Sequence, residues 1–222
     1  MSLQDELDAV RAAFISKAPP GRDALYEAKV QELRATFPVG NALAAGDRAP
    51  DFTLPAALGQ AVTLSDRLRH GPVVAVFYRG GWCPYCNVQL RAYQKILDAI
   101  QALGGQMLAI SPQTPDGSVS TRELNALGYD VLSDAGNNVA RSFGLVYALP
   151  EELRTALRSN DKDLAVINGD DSWELPLPAT YVIAPDRRLV LAEIELDYRR
   201  RLEPDSVLAA LRGLRAGTTR AA

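Results

Sequence analysis

Cysteine and histidine are nearly missing from this chain of 222 residues, which holds two cysteines, Cys83 and Cys86, and one histidine, His70. Two thiols and one imidazole cannot assemble a structural zinc site of Cys and His ligands, a Cys-ligated iron–sulfur cluster, a His-rich metal centre or a disulfide scaffold. An excess of one charge is missing as well. The 24 Lys and Arg against 27 Asp and Glu leave a formal net charge of −3, without the basic footprint of a nucleic-acid binder. Long apolar runs are absent, and the longest, residues 73–78, falls far short of the roughly 20 residues a membrane span needs. The first six residues are acidic rather than basic-then-apolar, unlike an export signal. These absences place the protein in the cytoplasm, without nucleic-acid or membrane partners. There an isolated Cys pair reads as catalytic or metal-binding rather than structural.

What is present is an ordinary globular composition, 47% apolar and 23% charged. A chain of this length can bury about 70% of its unfolded surface as one domain with extensions. Residues 1–45 read as a helical extension. Leu3, Leu7, Val10 and Phe14 share one helical face and, after Pro19-Pro20-Gly21, so do Tyr26, Val30, Leu33 and Phe37. These stripes must be covered by the main domain or by a second copy in a homodimer.

From residue 46 strands and helices alternate, so an α/β domain is expected over 46–215, followed by a disordered tail at 216–222. A hairpin-like start at Phe52 to Leu54 and Val62 to Leu64 precedes a short helix capped by Ser65. Val73 to Tyr78 reads as a central parallel strand buried on both faces. One helix is expected from about Cys83 to Gly104, then a strand at 106–110. A capping-box spacing starts a helix at Ser120. A strand at Val131 and a helix through Phe143 follow, residues 145–176 fit the alternation least well, and two antiparallel strands flank Pro185-Asp186. Pro204 opens a last helix.

Most functional information lies in Phe77-Tyr78-Arg79-Gly80-Gly81-Trp82-Cys83-Pro84-Tyr85-Cys86. It runs from a buried strand through a glycine turn into a helix, so the thiols sit at the carboxyl end of a central strand, where open α/β sheets keep their sites. The positive end of the helix dipole favours a thiolate there. The two-residue spacing puts both sulfurs on the first turn, within reach of a reversible disulfide. His70, before the same strand, belongs at its opposite end and is set aside as a base. Trp173 reads as a loop anchor.

These segments, with Asp51-Phe52-Thr53-Leu54-Pro55 upstream and Leu132-Ser133-Asp134 to Phe143-Gly144 downstream, resemble the peroxiredoxins of the alkyl hydroperoxide reductase and thiol-specific antioxidant family. The resemblance implies a thioredoxin-like fold, a central mixed sheet flanked by helices. It also implies a peroxidatic cysteine, matched by Cys86, which Cys83 resolves and a thioredoxin-like donor recycles, with no cofactor. The chain departs from the family pattern in three places. Arg79 replaces a proline, Cys83 a threonine, and Pro178 stands where the family arginine usually precedes a late strand. Arg79, or one of Arg199, Arg200 and Arg201, can supply the missing guanidinium.

The Cys-x-x-Cys after a tryptophan, together with Pro178, is also similar to thioredoxin. That likeness reverses the roles: Cys83 attacks a disulfide, Trp82 and a cis Pro178 shape the docking groove, and Tyr85 donates a hydrogen bond. Thiol–disulfide exchange and a non-catalytic redox sensor are therefore the alternatives to a peroxidase acting on hydrogen peroxide or organic hydroperoxides.

Overall fold

The computed structural model describes residues 2–220, the last four through their backbone alone. Ser2 caps α1 (Leu3–Ile15) through a capping box with Asp5, and α2 (Arg22–Thr36) follows. The hairpin β1 (Thr53–Pro55) and β2 (Ala61–Thr63) leads into α3 (Leu64–Leu68). Thr63, not Ser65, is the residue before α3, because Ser65 lies inside the helix with its amide bonded to the Asp51 carboxylate. The central strand β3 (Val73–Phe77) is buried at every position. It pairs in parallel with β4 (Gln106–Ser111) and antiparallel to β8 (Ala179–Ile183).

One helix was expected between β3 and β4; there are two, α4 (Pro84–Lys95) and α5 (Leu97–Ala102), because Ile96 leaves helical geometry at ψ 8°. The next helix, α6 (Pro115–Leu124), starts one and a half turns before the expected Ser120. Thr114 caps it and Pro115 fills the first position, where its missing N–H costs nothing. Ser120 bonds instead to the Asp116 carbonyl within the helix. Then come β5 (Asp130–Ser133) and α7 (Asn138–Ser142). The ill-fitting residues 145–176 form β6 (Val146–Ala148), α8 (Glu151–Arg158), α9 (Leu164–Asn168) and β7 (Glu174–Pro176), with β6 and β7 paired antiparallel. Strand β9 (Leu189–Ile194) and α10 (Pro204–Arg220) complete the chain. Helix α10 runs past residue 216, where a disordered tail was expected, since no proline interrupts its ladder. Residues 221 and 222 lie outside the described residues.

The main sheet has the order β5-β4-β3-β8-β9. Successive β3 side chains point to opposite faces. Val74 and Val76 enter a core with Leu7, Leu90, Ile100 and Leu211, while Val73, Ala75 and Phe77 enter another with Leu64, Phe143 and Tyr181. Helix α1 thus belongs to the domain core, with Leu3 and Leu7 buried, and Val30 of α2 is buried as well. Of the extension's apolar stripes the same chain buries Leu3, Leu7 and Val30, while Val10, Phe14, Tyr26, Leu33 and Phe37 are half-buried. Among the described residues no helix is long and apolar enough to cross a membrane.

Candidate active site

Phe77 aligns with Ala179 and Ala179 with Ile194, so the end of β3, the start of β8 and the end of β9 meet at one sheet edge. The segments beyond these ends build the site. Leaving β3, the chain turns through Gly80 at φ +139°, a conformation that L side chains rarely adopt. Gly81 lies so close to α6 that a Cβ there would stand 2.2 Å from Thr121 Oγ1. Gln113 locks the turn, its Oε1 accepting the Gly81 amide at 2.6 Å and the Thr121 hydroxyl at 3.2 Å. Cys83 then takes the position before α4, Pro84 the first helical position and Cys86 the third.

Both cysteines are free and buried. Their surroundings differ. Cys83 borders a mostly apolar cavity of about 320 Å³, whereas Cys86 lies behind it and does not reach the wall. Burial alone would raise the Cys83 thiol. The hydrogen bond from Cys86 and the charges of Arg79 and Arg201 outweigh it and hold Cys83 well below the ordinary cysteine range, with a smaller contribution from the Cys86 backbone N–H. Burial, the bond to Cys83 and the Cys83 charge push Cys86 up. The sulfur whose pKa is lowered therefore borders the cavity, and the one whose pKa is raised lies beneath it.

Two guanidinium groups frame the pair. Arg79 is buried between aromatic rings, its Cζ 4.9 Å from the Trp82 ring centre and 4.3 Å from that of Tyr198. Its Nε has no hydrogen-bond partner. Cation–π contact replaces a carboxylate, leaving the charge free to act on the thiols. Arg201 arrives from the segment after β9. It donates from Nε to Gln89 Oε1 at 2.7 Å and from Nη2 to Cys86 Sγ at 3.4 Å. Gln89 in turn donates to Thr180 Oγ1 at 3.3 Å. Arg199 is engaged elsewhere, paired with Asp197 at 2.7 Å and Glu27 at 2.8 Å.

The remaining sequence candidates divide. Trp82 and Tyr85 both border the cavity, and Tyr85 packs edge-on against Tyr198 with ring centres 5.5 Å apart. Pro178 is buried but does not border the cavity, and its carbonyl accepts the Glu195 amide at 2.9 Å. No peptide bond among the described residues is cis, so the cis Pro178 implied by likeness to thioredoxin is not formed. His70 is exposed at the far end of β3. Trp173 is buried in a satellite cluster with Leu149, Leu157 and Leu175. Among the described residues no three His, Cys, Asp or Glu side chains gather closely enough to hold a metal ion.

The AhpC/TSA family model matches residues 45–192, two thirds of the chain. The chain belongs to the AhpC/TSA family. It is a thiol-dependent peroxidase of peroxiredoxin type, an oxidoreductase. Peroxiredoxin Bcp of Escherichia coli K12 is 33% identical over 105 residues, covering 47% of this chain and 67% of the relative. The crystal structure of the peroxidoxin BcpB from Mycobacterium tuberculosis superposes with a TM-score of 0.61 at 24% identity, covering 78% of this chain and 98% of that one. Enterococcus faecalis AhpC gives 0.59 at 17% identity, with 80% and 93% covered. These likenesses show the shared thioredoxin-like fold.

Sequence reasoning offered Arg201 only as one of three neighbours and missed Gln89 and Tyr198. Arg201 and Tyr198 lie beyond the family-matched residues. The signal that finds them is topological: β9 runs parallel to β3 with β8 between them, so the loop after β9 must emerge beside the cysteines.

Proposed function

We propose that Cys83 is the thiolate that meets the peroxide and that Cys86 is the thiol that resolves it. The observation carrying this order is that Cys83 borders the cavity while Cys86 lies behind it. The Cys83 sulfur attacks one peroxide oxygen, the O–O bond breaks, and the departing oxygen leaves as water or an alcohol after taking a proton. The sulfenic acid on Cys83 then condenses with the Cys86 thiol, forming a disulfide and releasing water. A dithiol donor of thioredoxin type returns the pair to the reduced state. Arg79 and Arg201 supply the positive charge that stabilises the thiolate and the developing negative oxygen. A reducing compartment such as the cytoplasm suits a pair that must be regenerated each cycle.

The opposite order, Cys86 attacking first, is the one the family resemblance implies, since Cys86 stands at the matching position within the family-matched residues, and the Arg201 contact falls on the Cys86 sulfur. Thiol–disulfide exchange, by contrast, has no groove shaped by a cis proline. Peroxide consumption with dithiothreitol as reductant tests the peroxidase reading. Turnover orders of magnitude faster than with free cysteine is expected. Peroxide reactivity no greater than that of a free thiol, with disulfide reduction in its place, overturns it.

A further inference from the structure

Arg79 stands where the family pattern has a proline, so its charge is this chain's own. It borders the cavity over Cys83, is 6% exposed and has no hydrogen-bond partner on Nε. The Trp82 and Tyr198 ring centres stand 4.9 and 4.3 Å from its Cζ, but stacking on rings does not satisfy the in-plane N–H donors of a guanidinium. Lys162 borders the same cavity, its Nζ 5.9 Å from the Trp82 ring centre. The acids nearby are engaged elsewhere, Glu32 and Glu152 with Lys29, and Asp197 and Glu27 with Arg199. Among the described residues no carboxylate pairs with Arg79 or Lys162.

In the reduced protein the charges of Arg79 and Arg201 act on the Cys83 sulfur and favour its ionised form. Oxidation removes that partner. The Cys83 thiolate, the Cys86 thiol, hydrogen peroxide and one proton give the disulfide and two waters, whichever sulfur attacks first. Both sulfurs are then neutral, and a buried cation at the cavity wall is left without an anion, a costly state away from water. Phe14, Val30, Leu33, Leu153 and Leu157 make other parts of the wall apolar, and the volume of about 320 Å³ is in the range of sites for small organic molecules. A cation with unused donors in an apolar chamber describes its ligand, an anion carried on hydrocarbon.

We propose that the oxidised protein binds an organic carboxylate with an apolar body in this cavity, and that the reduced protein binds the same molecule far more weakly. The carboxylate pairs with Arg79 and Lys162, and the apolar body lies against Phe14, Val30 and Leu33. The inference rests on the peroxidase reading in which Cys83 and Cys86 form a disulfide. By linkage, a ligand that prefers the disulfide form opposes its reduction by the same factor. Such a carboxylate therefore holds the enzyme oxidised when the dithiol donor is scarce.

Isothermal titration calorimetry with 3-phenylpropionate tests this on protein reduced with dithiothreitol and on protein oxidised with one equivalent of hydrogen peroxide, each freed of reagent. Binding to the oxidised protein is expected to be tighter by about tenfold or more, within the usual range of coupling between sites. The alcohol 3-phenylpropanol, the same body without the charge, is expected to bind both forms alike. Arg79→Met is expected to abolish the preference. Should Arg79→Met fail to fold by thermal melting, Lys162→Gln, at a half-buried position, is expected to weaken binding to the oxidised protein severalfold. Equal affinity for the two forms, binding to neither, the same preference with the alcohol, or a folded variant that behaves as wild type overturns the inference. Maleimide labelling counts the thiols in the same samples. Free thiols remaining after peroxide overturn the disulfide reading and the inference together, whereas a disulfide formed without the binding preference overturns the inference alone.

Discussion

Arg201 Nη2 donates to Cys86 Sγ at 3.4 Å across 115 residues of chain. Antiparallel β8 and β9 fold that distance away by returning the chain to the edge where β3 ends. A buried hydrogen bond that involves a charged group contributes about 1.5–3 kcal/mol, and each 1.36 kcal/mol is a tenfold change in rate. Arg201→Met is therefore expected to slow formation of the Cys83–Cys86 disulfide after a peroxide pulse by roughly 10- to 100-fold. Quenched-flow alkylation followed by mass measurement reads that rate.

The depressed Cys83 thiol predicts a pH profile. A lowered thiol is already ionised at neutral pH, so its reactivity is flat there and falls only as the pH drops through the folded-state value. An ordinary cysteine instead gains reactivity up to about pH 8.5. Iodoacetamide trapping of the reduced protein, located at Cys83 by peptide mass, is expected to plateau below neutrality. Arg79→Met removes one of the lowering charges and is expected to move the midpoint upward by about one unit.

Gly81 is held against Thr121 with no room for a methyl group. Gly81→Ala is expected to cost about 1–3 kcal/mol, the usual range for overpacking, seen as a lower urea midpoint. Pairing it with Thr121→Ala, which removes the obstructing hydroxyl, recovers part of the loss.

Leu7 of α1 is fully buried in the same core as Val74 and Val76 of β3. Leu7→Ala is expected to destabilise the whole chain by about 2–5 kcal/mol. A single unfolding transition, at lower urea, marks the extension as part of the domain; a separate early transition marks it as an appendage.

The parts of this fold that sequence reveals are those whose signals are local. Five consecutive buried residues make β3 readable, and the Gly-Gly turn with Pro84 at the first helical position makes the start of α4 readable. Thr114-Pro115 carried the true start signal of α6, but a competing Ser-x-x-Glu spacing at Ser120 lay within the same helix. Strands of three residues, β6 and β7, hold too few alternations to show a period. In the site, Arg199, Arg200 and Arg201 are locally alike. Only the pairing of Arg199 with Asp197 and Glu27, and of Arg201 with Gln89 and Cys86, separates them. The order of the two thiols is likewise nonlocal, because both sit on one helical turn and the cavity that distinguishes them is walled by α2 and α8.

Intact mass after one equivalent of peroxide, measured on Cys83→Ser and Cys86→Ser, addresses the assignment of the two cysteines most directly. With Cys83 attacking first, Cys86→Ser gains one or more oxygen atoms, trapped as sulfenic or higher acids on Cys83, and Cys83→Ser stays unmodified on the same timescale. Oxygen added to Cys86 in Cys83→Ser, with Cys86→Ser unmodified, contradicts that order.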